Sequence, residues 1–186
     1  MNNASFLVLS KLTSFDEARF LYSQKQIYDT SCGYASVATV MNNWYGEDVS
    51  EQDLIEEIYE GSEETYTTSL KNLMTLLENH GYYIKAYKMD YKTLVGAAQK
   101  YAPMIVHFSE DGKGHFVVVL YADEGTVLVS DPSSGTQILF KKDFEKLFSG
   151  NVLLIHNENL DVLTLERVIA TNEERITFLQ RSHRFL

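Results

Sequence analysis

The chain has 186 residues, a formal net charge of −10 and a single cysteine. Its length fits one domain, and a domain of this size can bury a hydrophobic core without disulfides. One cysteine excludes an intramolecular disulfide and a multi-cysteine zinc site. The negative charge argues against nucleic acid and anionic lipid as partners, because both bind basic surfaces.

The first half of the chain shows helical patterns. The apolar residues within 33–45 form a stripe wide enough for a buried helix, with Thr30 or Ser31 as its N-cap. Four further helices are predicted from capping residues and apolar periodicity. They are an acidic helix from the capping box of Ser50 and Asp53 to about Glu60, a helix capped by Thr68 or Ser69 and ended by Gly81, a short helix over 91–100 capped by Asp90, and a short helix over 141–148.

From residue 82 onward, short runs rich in β-branched and aromatic residues alternate with turn residues, a pattern typical of strands. The predicted strands are Tyr82–Lys88, Met104–Phe108, His115–Tyr121, Val127–Ser130, Ile138–Phe140 and Val152–Ile155. Helices followed mainly by strands indicate an α+β fold in which N-terminal helices pack on an antiparallel sheet.

No linker rich in glycine or serine divides the chain, so one main domain is expected over residues 1–156. Residues 157–186 read as a C-terminal helical extension packed on the same domain. No run of about 18 apolar residues occurs, and the N-terminus lacks the basic start of a signal peptide. The compartment therefore stays open between cytoplasm and periplasm, and the oligomeric state is undetermined.

The lone cysteine, Cys32, stands where the predicted helix over 33–45 begins. A helix N-terminus carries partial positive charge and unpaired N–H groups, which stabilise a thiolate. Cys32 is therefore a candidate nucleophile. The alternative is a small buried hydrophobic residue, as many free cysteines are.

A thiolate nucleophile needs a base and a group that orients the base. Among five histidines, His115 stands at the mouth of a predicted strand, after the glycine-containing run 111–114. Asp131 ends the next strand, and antiparallel pairing of the two strands brings His115 and Asp131 to the same end. The alternative reading of Asp131 and Pro132 is a simple turn.

Acyl transfer also needs donors for the developing oxyanion. Gln26, six residues before Cys32, could supply its side-chain amide together with the backbone N–H of Cys32. Taken alone, a glutamine at this position is equally consistent with a surface residue.

In combination, these motifs have a known counterpart. Gln26 followed by Cys32-Gly33, a strand beginning at His115, and Asp131-Pro132 sixteen residues after the histidine resemble the bacteriocin-processing, double-glycine leader peptidases. These are papain-like cysteine peptidases, and the resemblance extends over roughly residues 20–156. It implies Cys32 as nucleophile, His115 as base, Asp131 as the residue that orients it, and Gln26 as oxyanion donor.

The resemblance further implies an endopeptidase that cleaves after a Gly-Gly type leader of a small secreted peptide, without metal or organic cofactor. The expected partner is such a peptide or small protein, with export machinery as a second candidate. Because the chain shows neither a transmembrane segment nor the Gly-x4-Gly-Lys-Ser/Thr motif of ATPases, it is similar to the stand-alone branch of the family. Two other classes remain open, a peptide-binding adaptor with a vestigial triad and a papain-fold acyltransferase.

Overall fold

The computed structural model describes residues 19–59, 68–158, 160–164, 166–167 and 169–170. Helix α1, Cys32–Trp44, is buried at every residue from Cys32 to Met41, which confirms the helix expected over 33–45. Ser31 is its N-cap residue but makes no capping bond to the helix. Its hydroxyl instead donates to the carbonyl of Tyr28 (2.8 Å) and accepts from the Tyr28 amide (3.1 Å), so the expected side-chain cap is wrong.

Helix α2, Glu51–Tyr59, follows the expected capping box. The Asp53 amide donates to Ser50 Oγ at 3.1 Å, and the Ser50 amide donates to Asp53 Oδ2 at 3.0 Å. This reciprocal pair satisfies two N–H groups at the helix start. Glu60, the expected end of the helix, lies outside the described residues.

The remaining helices begin and end within one or two residues of their predicted bounds. They are α3, Leu70–Asn79, α4, Tyr91–Tyr101, and α5, Lys141–Leu147. Ser69 and Asp90 cap α3 and α4 by accepting from the amides of Asn72 and Thr93. Gly81 follows α3 with φ of +80°, a left-handed conformation that favours glycine.

Six strands form one antiparallel sheet in the order β1-β6-β2-β3-β4-β5. Their bounds are β1 Tyr83–Lys88, β2 Met104–Glu110, β3 Lys113–Ala122, β4 Thr126–Asp131, β5 Gly135–Phe140 and β6 Phe148–His156. Strand β3 starts two residues before His115, because Asp111 and Gly112 alone make the turn, both with positive φ. The antiparallel sheet is confirmed, while the start of this strand at His115 is wrong.

The central strands of the sheet are buried on both faces, while the edge strand β1 is mostly exposed. Alternate residues of β3 divide between two cores, with Phe116, Val118 and Leu120 facing α1 and Val117 and Val119 on the other side. The first core also contains apolar residues of α2 and α3, and the second contains residues of α4 and α5. The prediction of N-terminal helices packed on an antiparallel sheet is thus confirmed, with two later helices covering the opposite face.

In the C-terminal segment, the described residues 162–164, 166–167 and 169–170 are helical. Leu160 and Ile169 pack against the core around α1, and the Asp161 amide donates to the Trp44 carbonyl at 2.6 Å. Residues 171–186 lie outside the described residues, so the division into 1–156 and 157–186 stays a prediction. Among the described residues, no helix is long and apolar enough to cross a membrane.

Candidate active site

Cys32 occupies the first position of α1 and is 4% exposed. Its Sγ accepts a hydrogen bond from the Phe116 amide at 3.4 Å, which ties the helix start to strand β3. The next residue has to be glycine, because a Cβ on Gly33 would fall 2.0 Å from Cγ2 of Thr68. Close packing therefore fixes the sulfur at a defined point beside the sheet.

His115 and Asp131 meet at the end of strands β3 and β4. The imidazole Nε2 lies 2.9 Å from Oδ1 of Asp131, and the ring is also close enough to Cys32 for the cysteine to raise the pKa of His115. Since Nε2 faces the carboxylate, Nδ1 is the nitrogen left for the sulfur. The structure thus brings three of the four predicted site residues together.

The charge of Asp131 is strongly stabilised. Burial raises the pKa of this carboxyl, but the hydrogen bond and charge of His115 and hydrogen bonds from Ser133 outweigh burial and hold the pKa at about 2. Oδ1 accepts from the Ser133 amide at 2.8 Å and from its hydroxyl at 2.7 Å, and Oδ2 accepts from Nε2 of Gln137 at 3.3 Å. Asp131 is therefore an anion at neutral pH, in a fixed orientation.

Burial alone would lower the pKa of His115. The interactions of the imidazole with Asp131 and Cys32 outweigh burial and raise the pKa from 6.5 to about 9. At neutral pH the imidazole is consequently protonated. The imidazolium lies beside the Cys32 sulfur, where it can exchange a proton with it. The arrangement is an anion–cation–sulfur row suited to nucleophilic attack and proton transfer.

Gln26 lies on the segment that leads into α1. Its amide N–H donates to the Pro132 carbonyl at 2.9 Å, so the segment is fixed to the turn that follows Asp131. Side-chain Nε2 donates to the Tyr28 carbonyl at 2.8 Å. A primary amide has two hydrogens, and the second is left for another acceptor. The oxyanion role of Gln26 stays a prediction.

Sequence reasoning missed several residues of this site. Ser133 follows Asp131 by two positions, the spacing of an Asx turn, which could have indicated it. Gln137 carries no local signal, because its contact with Asp131 depends on the pairing of β4 with β5. His107, one of the four other histidines, bonds through Nδ1 to Ser149 Oγ at 2.9 Å.

A groove of about 570 Å³ lies beside Cys32, with His107, Thr68 and Gly114 in its walls. A Cβ on Gly114 would approach Nε2 of His107 to 2.6 Å, so glycine at this position leaves room for the imidazole beside β3. Within the described residues, no group of three or more His, Cys, Asp or Glu side chains is arranged to hold a metal ion.

Known proteins share both sequence and fold with this chain. A protein of Pseudomonas fluorescens named "Probable functional amyloid protease FapD" is 29% identical over 159 residues, which are 83% of this chain and 69% of that protein. An uncharacterized protein of Methanothermobacter thermautotrophicus is 30% identical over 125 residues, 67% of this chain and 81% of that protein.

Two solved structures are similar in fold. The peptidase domain of Streptococcus ComA, a bi-functional ABC transporter, has a TM-score of 0.64 at 22% identity and covers 74% of this chain and 99% of that domain. A double-glycine-motif protease from an AMS/PCAT transporter, solved with its leader peptide, has a TM-score of 0.60 at 22% identity and covers 72% of this chain and 89% of that one. These likenesses confirm the α+β, papain-like fold expected from the resemblance.

Residues 21–160 match the model of the Peptidase C39 family. The match includes Gln26, Cys32, His115 and Asp131, and it spans most of the chain. The protein therefore belongs to the peptidase C39 family and is a cysteine peptidase.

Proposed function

We propose that the protein is an endopeptidase that cleaves after a Gly-Gly type leader of a small secreted peptide, with Cys32 as its nucleophile. The observation that carries the proposal is the row in which His115 lies beside both Cys32 and Asp131, with 2.9 Å between Nε2 of His115 and Oδ1 of Asp131. Cys32 and Asp131 both favour the charged form of the imidazole that they flank. The three groups together supply a nucleophile, a proton carrier and an orienting anion.

In the proposed reaction, the Cys32 sulfur forms a bond to the carbonyl carbon of the cleaved peptide bond. The carbonyl oxygen becomes an oxyanion and accepts from Gln26 Nε2 and the Cys32 amide. As the C–N bond breaks, His115 gives its proton to the leaving amine. A water molecule then loses a proton to His115 and attacks the thioester, which releases the leader with a carboxyl terminus and restores the thiol.

One comparison supports glycines at the cleaved position. The similar AMS/PCAT protein is a double-glycine-motif protease that was solved with a leader peptide. A leader helix preceding the cleaved bond would dock by its apolar face, a common mode of peptide recognition.

The test is incubation with a synthetic leader peptide that ends in Gly-Gly and continues into a short cargo, followed by mass spectrometry. We expect hydrolysis after the second glycine, no hydrolysis when the pair is Val-Val, and none with Cys32→Ala. Cleavage by Cys32→Ala would overturn the nucleophile. An amine adduct without hydrolysis, in the presence of an amine donor, would identify an acyltransferase instead.

The peptide-binding adaptor is distinguished by thiol reactivity. We expect Cys32 to react with iodoacetamide near neutral pH much faster than a buried, uncharged thiol does. Protein that binds the leader peptide but leaves it intact, with Cys32 unlabelled, would support the adaptor and refute the peptidase mechanism.

A further inference from the structure

Glu51, the first residue of α2, is a carboxylate with no exposed surface. Within the part of the chain that the structure describes, no lysine, arginine or histidine forms an ion pair with it. A buried carboxylate without a counter-cation is unfavourable unless other donors satisfy its oxygens. Its presence therefore calls for a specific set of partners.

Those partners all belong to the segment between Gln26 and Cys32. The Ile27 amide donates to both carboxylate oxygens, at 2.9 and 3.2 Å. Burial raises the pKa of this carboxyl, and the nearby Ser31 hydroxyl and the Ile27 and Tyr28 amides oppose that rise by stabilising the charge. Glu51 thus binds backbone donors along one turn of chain, as an anion does in a loop of convergent N–H groups.

Two other side chains also bond to this segment: the Thr68 hydroxyl donates to the Thr30 carbonyl at 2.9 Å, and the Tyr28 hydroxyl donates to Gln52 at 3.3 Å. Ile27 and Tyr28 are 61% and 40% exposed, so their side chains contribute little packing. At the other end, the Gln26 amide is fixed to Pro132 at 2.9 Å. Gln26 therefore lies between two anchors, the turn after Asp131 on one side and the Glu51 carboxylate on the other.

A helix-capping role does not explain Glu51. The N-terminus of α2 is already capped by the reciprocal bonds of Ser50 and Asp53. The side chain of Glu51 instead points away from its own helix, toward the amide of Ile27, 24 residues earlier.

We propose that Glu51 is a positioning residue, which holds the segment 26–31 so that the Gln26 amide and the Cys32 N–H converge on the oxyanion. The inference rests on the proposed roles of Gln26 and Cys32. The position of the Cys32 sulfur does not depend on Glu51, because the sulfur is held by α1 and the sheet. Loss of the Glu51 charge should weaken oxyanion binding while leaving thiolate reactivity intact.

The test compares two reagents on the wild type and on Glu51→Gln. A peptide aldehyde ending in Gly-glycinal forms a bond between its carbonyl carbon and the Cys32 sulfur, and the resulting oxygen occupies the oxyanion site. Iodoacetamide reacts with the sulfur by displacement of iodide and forms no oxyanion. Since Glu51→Gln removes the charge and replaces one of the two oxygens that accept from the Ile27 amide with an NH2 donor, we expect the aldehyde affinity to fall by about tenfold or more, with the alkylation rate within about twofold of wild type.

With the leader peptide as substrate, kcat should fall by the same factor as the aldehyde affinity, and KM should stay nearly constant, because the interaction lost is made in the transition state. Glu56→Gln is the matched control. It removes a carboxylate from the exposed face of the same helix, where its partner is Gln52 at 2.7 Å, and should leave every measurement unchanged. Ser31→Ala removes one of the partners and should reproduce the loss in aldehyde affinity to a smaller extent.

The proposal is overturned if Glu51→Gln keeps the wild-type aldehyde affinity. It is also overturned if the alkylation rate and aldehyde affinity fall together in both Glu51→Gln and Ser31→Ala, because Glu51 would then support the fold in general. The aldehyde and alkylation assays need no turnover. If the wild type binds the aldehyde but does not cleave the Gly-Gly leader, the substrate assignment fails and the role of Glu51 is still decided.

Discussion

The two sides of the active site are held in place by different forces. On one side, Cys32 begins a helix whose first ten residues are all buried, so apolar packing fixes the sulfur. On the other side, Asp131 and the segment 26–31 are fixed by hydrogen bonds to serine, glutamine and glutamate side chains. The difference means that changes on the first side should alter stability, while changes on the second should alter the rate of reaction.

Asp131→Asn should have the largest effect. The variant keeps the shape of the side chain but loses the charge that orients His115 and raises its pKa. We therefore expect kcat to fall by about 10²–10⁴-fold. The melting temperature should change far less than the rate. The measurement is steady-state cleavage of the Gly-Gly leader peptide together with thermal unfolding.

Asp143→Asn is the control for that change. Asp143 is partly exposed on α5 and pairs with Lys146 at 2.8 Å, a surface ion pair of small energetic value. Its loss should leave kcat unchanged. If Asp131→Asn retained wild-type activity, Asp131 would be a turn residue, the alternative that its sequence context allowed.

The second prediction concerns pH. The folded-state pKa of His115, about 9, lies above its usual value of 6.5, so its contribution to folding is complete below about pH 6.5 and is lost as pH rises through 9. Since a protonated His115 is needed for the leaving amine, kcat/KM should also decline about tenfold per pH unit above 9. Both can be measured, by denaturant titration and by initial rates from pH 6 to 10.

Asp131→Asn separates the causes of this pH dependence. Without the carboxylate charge, the decline in kcat/KM should move to lower pH, because the hydrogen bond and charge of Asp131 are lost as causes of the raised pKa. An alkaline limb at the same pH in both proteins would show that a group other than His115 governs it.

The sequence predicts the packed elements that hold Cys32 better than it predicts the hydrogen bonds that hold Asp131 and the segment 26–31. The helix that carries Cys32 follows from its apolar stripe, and the meeting of His115 with Asp131 follows from a hairpin of adjacent strands. Both are local patterns. The position of β6 between β1 and β2 was not predicted, because its partners lie 40 to 73 residues earlier in the chain.

The polar anchors were not predicted for the same reason. Gln137 reaches Asp131 only through the β4–β5 pairing, and Glu51 reaches Ile27 across 24 residues. A glutamate at the start of an acidic helix looks like an ordinary first-turn residue. Its complete burial, visible only in three dimensions, distinguishes it from Glu56 on the same helix.

Val40→Ala tests the core side. Val40 is fully buried in α1, and removal of two methyl groups should reduce the free energy of unfolding by about 1–3 kcal/mol. Because the change lies two turns from Cys32, kcat for the folded enzyme should remain at the wild-type value. The measurements are urea unfolding and initial rates at a temperature where both proteins are folded.

A fall in kcat of Val40→Ala comparable to that of Asp131→Asn would contradict the comparison. It would mean that core packing sets the geometry of catalysis as well as the stability. A surface change on the same chain, Lys142→Ala, provides the reference for unfolding, since Lys142 is exposed.

The smallest expected effect is that of Gln137→Ala. Gln137 Nε2 donates to Oδ2 of Asp131 at 3.3 Å and to Ser134 Oγ at 3.0 Å, while Oδ1 keeps its bonds to Ser133 and His115. Loss of one hydrogen bond that orients the carboxylate is worth about 1 kcal/mol, or roughly fivefold in kcat. Single-turnover cleavage measures this difference, with unfolding followed in parallel. If kcat were unchanged and only stability fell, Gln137 would serve the β4–β5 turn alone, and the polar side of the site would depend on Oδ1 contacts only.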